Sequence, residues 1–284
     1  MTAHELTSSP SLLPLYAKAA ATGPLHRGTE LPDSTYTLGD VTIDRDHLVA
    51  YQRVCGFRVA DVLPPTYLHI LAFPLSIALM TEQAFPFPLV GLVHVNNTIT
   101  ARRPVRADEP VSFTVRADNL RPHPAGHQLD LLAEARVGDE PVWSGVSTYL
   151  RRGTPPEGTE KPERRELDPQ AGPLTTLRVP ENIGRRYAAV AGDRNPIHLH
   201  ALAAKAFGFP TAIAHGMWLA ARVLAGLEGR LPDALVHDVS FKTPVPLPST
   251  VSIASVPVDG GWDLDVRSAR NGKPHLAGTV RPIA

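Results

Sequence analysis

The sequence predicts an α+β protein made of two copies of one fold, in each of which an antiparallel sheet wraps a buried helix. Three observations carry this: short matches recur in the same order in both halves, each half holds one long apolar helical segment, and a run of strand-like segments follows each. Tyr51 to Gly56 (YQRVCG) matches Tyr187 to Gly192 (YAAVAG). Pro65 and Thr66 open one apolar segment, and Pro210 and Thr211 open the other. Leu92, Val93 and His94 parallel Leu235, Val236 and His237. Pro104 and Val105, then Val111 and Ser112, parallel Pro244 and Val245, then Val251 and Ser252. Each match is short, but their shared order implies a tandem duplication.

Element by element, Ile183, Tyr187, Val190 and Ala191 recur at helical spacing, so Ile183 to Ala191 is expected to be a helix. Ala214 to Leu227 is small and apolar nearly all round, which marks a buried helix. Strands are expected over 235–243, 251–258, 262–267 and 276–283. Gly260 with Gly261, and Asn271 with Gly272, serve as hairpin turns between them. The first half repeats the plan, with a buried helix over 66–80 and strands over 93–100, 111–117, 129–136 and 142–150. The 29 prolines among 284 residues weigh against a helical bundle.

Between the halves, Arg151 to Pro173 has ten charged residues and five prolines in 23 positions. Such a stretch buries too little apolar surface to offset its ordering entropy, and it is expected to be a linker. The division is therefore an N-terminal domain over 1–150, the linker over 151–173 and a C-terminal domain over 174–284.

Composition excludes several function classes. The 28 basic and 28 acidic side chains cancel, which leaves no global field for nucleic acid. The longest apolar run, Tyr67 to Met80, has 14 residues and contains His69 and Pro74. A bilayer needs about 20, so no membrane span is expected. No secretory leader is apparent at the start, and the single cysteine, Cys55, fits a reducing cytoplasmic setting.

The densest reactive cluster is Gly192, Asp193, Arg194, Asn195, Pro196, Ile197 and His198. Gly192 permits a turn, and Asn195 with Pro196 forms an N-cap and first helical position. A helix is expected from Pro196 to Phe207, ending at Gly208. Asp193 in the loop and His198 in the first turn can then converge, a carboxylate and an imidazole suited to proton transfer. His215 and Gly216, opening the buried helix, could offer a backbone N–H to a developing oxyanion. On residues alone two other readings stay open. Gly-Asp-x-Asn-Pro is also an ordinary turn, and His198, His200 and His215 could be metal ligands. Two histidines at i, i+2 on a helix point to different faces, so no metal is expected. The duplication bears on the turn reading: at the positions of Asp193 and His198 the first half has Phe57 and Val62. The scaffold is kept twice and the polar pair once.

YAAVAGDRNPIH, from Tyr187 to His198, resembles the signature of MaoC-like (R)-specific enoyl-thioester hydratases, also called 3-hydroxyacyl-thioester dehydratases. HLHALAAKAFGFPTAIAHGMW and FKTPVPLPSTV extend the resemblance, and FPLVGLVHVNNTITARRPV is similar to the degenerate half of the double-hotdog members. The resemblance implies two tandem hotdog domains and reversible hydration of a trans-2-enoyl thioester to a (3R)-3-hydroxyacyl thioester. It implies Asp193 and His198 as the catalytic pair. Gly216 would bind the thioester carbonyl, Asn195 would brace the loop, and His215 and Tyr187 complete the substrate-binding set. No cofactor is implied beyond the coenzyme A or acyl carrier protein that carries the acyl group. Arg185, Arg186, Arg194 and Lys205 could meet its phosphates, and the apolar residues over 66–80 could shape an acyl pocket. A homodimer is expected from the fold, unless the two halves replace one within the chain. The competing functions are a thioesterase on the same scaffold and a noncatalytic acyl-thioester-binding subunit.

Overall fold

The computed structural model describes residues 2–22, 28–154 and 174–283. In chain order, the first half comprises β1 (Thr2–Leu6), α1 (Leu12–Thr22), β2 (Ser34–Val41), α2 (Arg45–Cys55), α3 (Tyr67–Met80), β3 (Leu92–Ala101), β4 (Val111–His123), β5 (Gly126–Val137) and β6 (Glu140–Arg152). The second comprises β7 (Leu174–Val179), α4 (Ile183–Ala191), α5 (Pro196–Leu199), α6 (Ala201–Ala206), α7 (Gly216–Ala225), β8 (Leu235–Phe241), β9 (Ser249–Val258), β10 (Gly261–Ser268) and β11 (Pro274–Pro282). These elements form two compact units. Unit 1 takes the described residues within Met1–Ile43, Leu68–Thr98 and Asp108–Arg164, and unit 2 those within Asp44–Tyr67, Ile99–Ala107 and Arg165–Ala284. Unit 2 thus includes α2 and a second short segment from the expected N-terminal domain.

In unit 1 the strand order is β1-β2-β4-β5-β6-β3, with β1 parallel to β2 and β2, β4, β5 and β6 antiparallel in succession. Along β4 the buried residues Val111, Phe113 and Val115 alternate with partly exposed ones, as a sheet with one covered face requires. Leu75, Ile77, Leu79 and Met80 of α3 are fully or almost fully buried, and His69 of α3 stacks on His94 of β3 with ring centroids 6.1 Å apart. Pro74 lies inside this helix.

Unit 2 carries the sheet β8-β11-β10-β9-β7, antiparallel throughout. Its core joins Leu235, Val239, Val251, Leu264, Val266, Leu276 and Val280 of the strands to Met217 through Ala221, Val223 and Leu224 of α7. Burying side chains of this size stabilises by roughly 1.5–3 kcal/mol each before entropy is counted, which seats α7 firmly. Beside α7, α2 packs on α4. Tyr51 and Tyr187, the equivalent tyrosines of the two copies, lie 6.3 Å apart, and Trp218 of α7 donates its indole N–H to Val54 O of α2 at 3.0 Å.

Several expectations change in detail. The helix expected over 196–207 is broken at His200, whose φ of −140° and ψ of 130° are extended, so α5 and α6 are separate. The helix expected over 214–227 begins at Gly216, because the Ala214 N–H is bonded to Val245 O and the N-cap His215 is extended. Arg151 and Arg152, the first residues of the expected linker, belong to β6, and residues 155–173 of it lie outside the described residues. β1, α1, β2 and β7 carry no expectation from sequence. No helix among the described residues is long and apolar enough to cross a membrane.

Candidate active site

The site is built from the end of α4, α5 and the start of α7, all within unit 2. Ile183, Gly184, Tyr187, Ala188 and Ala191 form the buried stripe of α4. The helix stops at Gly192, whose φ of +73° favours glycine and whose N–H returns to Ala188 O at 3.0 Å. Asp193 follows. Its Oδ1 accepts the Asn195 N–H at 3.1 Å, an Asx turn that presets the loop. Asn195 is the N-cap of α5, Pro196 its first residue, and the Asn195 carbonyl accepts the His198 N–H at 3.0 Å.

His198 is held at both ends. Its Nδ1 lies 2.9 Å from Ile213 O, and the Ile213 N–H returns to Ile197 O at 3.1 Å. A carbonyl oxygen can only accept, so Nδ1 carries the proton and Nε2 of the neutral ring presents a lone pair. Burial pushes the His198 pKa below the ordinary histidine value, opposed by the charge of Asp193 and the bond to Ile213. The ring is therefore a neutral base. Ile213 is itself fixed through its neighbours, by Ala214 N–H to Val245 O at 2.9 Å and Leu247 N–H to Ala212 O at 2.8 Å.

His215, the N-cap of α7, is 3% exposed. Its Nε2 donates to the main-chain carbonyl of Asp193 at 3.0 Å and stands 3.8 Å from the Asp193 carboxylate. Its ring stacks on His198 with centroids 3.7 Å apart and planes inclined 26°. Burial, then the adjacent His198, push its pKa down to about 3. Tyr187 is buried behind it, with centroids 5.0 Å apart. Gly216 occupies the first position of α7, where its N–H has no acceptor within the helix. A Cβ there would stand 2.9 Å from the Phe241 ring.

The structure thus gathers Asp193, His198, His215, Asn195 and Tyr187, and starts α7 at Gly216. It places His200 elsewhere, exposed at the head of α6. One ligand-capable atom each of Asp193, His198 and His215 lies within 4.8 Å of the others. Each imidazole already commits one nitrogen to a carbonyl, and near-parallel stacked rings direct their in-plane lone pairs side by side. A metal needs convergent lone pairs at about 2.0–2.1 Å. The arrangement suits proton transfer better. Of the four cations near the motif, Arg185 bonds Leu199 O at 3.4 Å, and Arg186, Arg194 and Lys205 are exposed.

Two supports went unread in the sequence. Ile213 acts through its main chain, which leaves no residue signature. Gly184 did leave one, as a glycine inside a helical repeat: a Cβ there would stand 2.0 Å from His198 O.

Comparison with known proteins gives this geometry a context. Residues 160–273 match the MaoC like domain. Over 270 residues the chain is 42% identical to the 3-hydroxyacyl-thioester dehydratase X of Mycobacterium tuberculosis, spanning 95% of this chain and 96% of that one. The chain belongs to the MaoC-like dehydratase family. A crystal structure of HtdX from M. tuberculosis superimposes on this MaoC-like chain with a TM-score of 0.78, covering 88% of it and all of HtdX. A MaoC-like dehydratase from Phytophthora capsici, 18% identical, shares the fold at a TM-score of 0.71 over 89% of this chain and 96% of its own. The double-hotdog architecture implied by the resemblance agrees with the fold shared with these MaoC-like neighbours.

Proposed function

We propose that this MaoC-like protein catalyses the reversible hydration of trans-2-enoyl thioesters to (3R)-3-hydroxyacyl thioesters, in fatty-acid metabolism. The observation that carries the reading is the pairing of Asp193 with a His198 whose hydrogen bond to Ile213 O leaves Nε2 as a lone-pair acceptor. A ring nitrogen of His198 and a carboxylate oxygen of Asp193 lie within 4.8 Å of each other. One water can bridge such a gap, since two ordinary hydrogen bonds of about 2.8 Å span it.

Held by both acceptors, the water keeps a lone pair for C3 of the enoyl group. Attack forms the C3–O bond, the C2=C3 electrons move to the thioester oxygen, and one water proton passes to the Asp193–His198 pair. Gly216 N–H, at the positive end of α7, stabilises the enolate oxygen. Collapse of the enolate draws a proton from the pair to C2, so atoms and charge balance without an added cofactor. Dehydration runs the same path backwards. The acyl group is carried on coenzyme A or acyl carrier protein, the setting is the cytoplasm, and the working form is a homodimer or a chain whose two halves replace one.

The test is hydration of a short trans-2-enoyl-CoA, read as loss of conjugated-thioester absorbance, with chiral analysis of the product. Wild type should give the (3R) alcohol. Asp193→Asn and His198→Ala should each lose at least ~10²-fold in kcat/KM, the range for removing a positioned acid–base group. Thiol release from a saturated acyl-CoA would make the protein a thioesterase. Acyl-CoA binding with no turnover of any thioester would make it a binding subunit.

A further inference from the structure

The Asp193 loop is anchored from outside its own half of the sequence. His47, in the first turn of α2, lies 2.7 Å by its Nε2 from Val190 O, and its Nδ1 lies 2.8 Å from the Tyr67 hydroxyl. All three residues belong to unit 2. A carbonyl only accepts, so Nε2 carries the proton and the phenol donates to Nδ1, which fixes the tautomer. His47 is itself placed by the N-cap Asp44, whose Oδ1 accepts the N–H groups of Asp46 at 2.9 Å and His47 at 3.2 Å. Val190 is in the last turn of α4, where a carbonyl has no partner within the helix, and Asp193 comes three residues later.

The duplication sharpens this. Val54 is the counterpart of Val190, and its carbonyl is also taken by a side chain, the indole N–H of Trp218. The acceptor recurs in both copies, but the donors are unrelated. The position matching His47 in the second copy is Ile183. The histidine therefore serves the one helix end that leads to an acidic loop, and Val54 leads to Phe57 instead.

We infer that His47 is a positioning residue: its hydrogen bond to Val190 O fixes the end of α4 and with it the placement of Asp193 opposite His198. The catalytic half of this inference rests on the hydratase reading above, and the geometric half does not. His47→Leu removes the donor at similar volume, and His47→Gln keeps an N–H near the position of Nε2. Tyr67→Phe removes the bond that fixes the tautomer. Amide hydrogen exchange over residues 192–195 and steady-state kinetics are read on the whole chain. His47→Leu should speed exchange over 192–195 and lower kcat by ~10–100-fold, the scale for a displaced catalytic group, with KM nearly unchanged. His47→Gln should recover most of the loss, and Tyr67→Phe should fall between. In an Asp193→Asn background, His47→Leu should cost nothing further. Unchanged exchange over 192–195 in His47→Leu and Tyr67→Phe overturns the inference, as does an undiminished loss in the Asp193→Asn background. If wild type hydrates no enoyl thioester yet exchange speeds up in His47→Leu, the hydratase reading fails and the positioning of the loop stands.

Discussion

His198 is placed by groups that carry no charge and little chemistry of their own. Ile213 O selects its tautomer, and Gly184 lets α4 come close enough for α5 to lie against it. A methyl at Gly184 would stand 2.0 Å from His198 O, a distance no packed atom pair tolerates, so backbone must move. We expect Gly184→Ala to retain its fold while losing about 10²-fold in kcat, since displacements near 1 Å at the reacting groups cost that much. Circular dichroism with steady-state kinetics checks it, and full activity would show that α5 is free to shift. The convergence of Asp193 and His198 was legible, because they flank an N-cap, Asn195 and Pro196, whose geometry is local. Their supports were not. A main-chain acceptor such as Ile213 O has no letter in the sequence, and His47 is 143 residues from the carbonyl it binds.

Among the elements, α7 carries the sharpest constraint. Starting it at Gly216 rather than Ala214 leaves the Gly216 N–H as a free end of the helix, and pairing of Ala214 with Val245 sets that start. The Phe241 ring of β8 covers the same spot, 2.9–3.1 Å from where a Cβ would be. Gly216→Ala should therefore push α7 off its seat and lower kcat/KM by roughly 10²-fold, the worth of one oxyanion donor. Adding Phe241→Ala removes the obstruction and should restore part of the loss. A double variant no better than the single one would place the defect elsewhere than at the ring. Helical spacing predicted α4, an apolar surface nearly all round predicted α7, and strand-like runs predicted β3 to β6 and β8 to β11. The sequence pattern missed the break at His200, and it missed the start of α7 because that start is imposed by the distant bond of Ala214 N–H to Val245 O rather than by local propensity.

Over the whole molecule, unit 2 buries several imidazoles, among them His215, His237 and His275. The pKa of His215 is pushed down to about 3 and that of His237, inside the sheet with its Nδ1 on Thr279 O, to about 4; burial also lowers His198 and His275. An unfolded histidine titrates near 6.5, so between there and the folded values the unfolded chain binds more protons than the native one. Stability is then fully present above pH 6.5 and is lost as pH falls toward 4. At pH 5 each of His215 and His237 contributes a loss of about 1.5 pH units at 1.36 kcal/mol, or ~2 kcal/mol, and together ~4 kcal/mol. Against a typical total of about 5–15 kcal/mol this is a large share. The urea midpoint should therefore drop steeply from pH 7 to pH 5, before most carboxylates titrate. His237→Gln should flatten that slope by about one histidine's portion even if it lowers stability at pH 7. A midpoint constant across this range would mean that water reaches these rings and that the core of unit 2 opens to admit protons. The acid limb of kcat/KM would then rise toward the ordinary histidine value as well, because His198 would lose the burial that keeps it a neutral base.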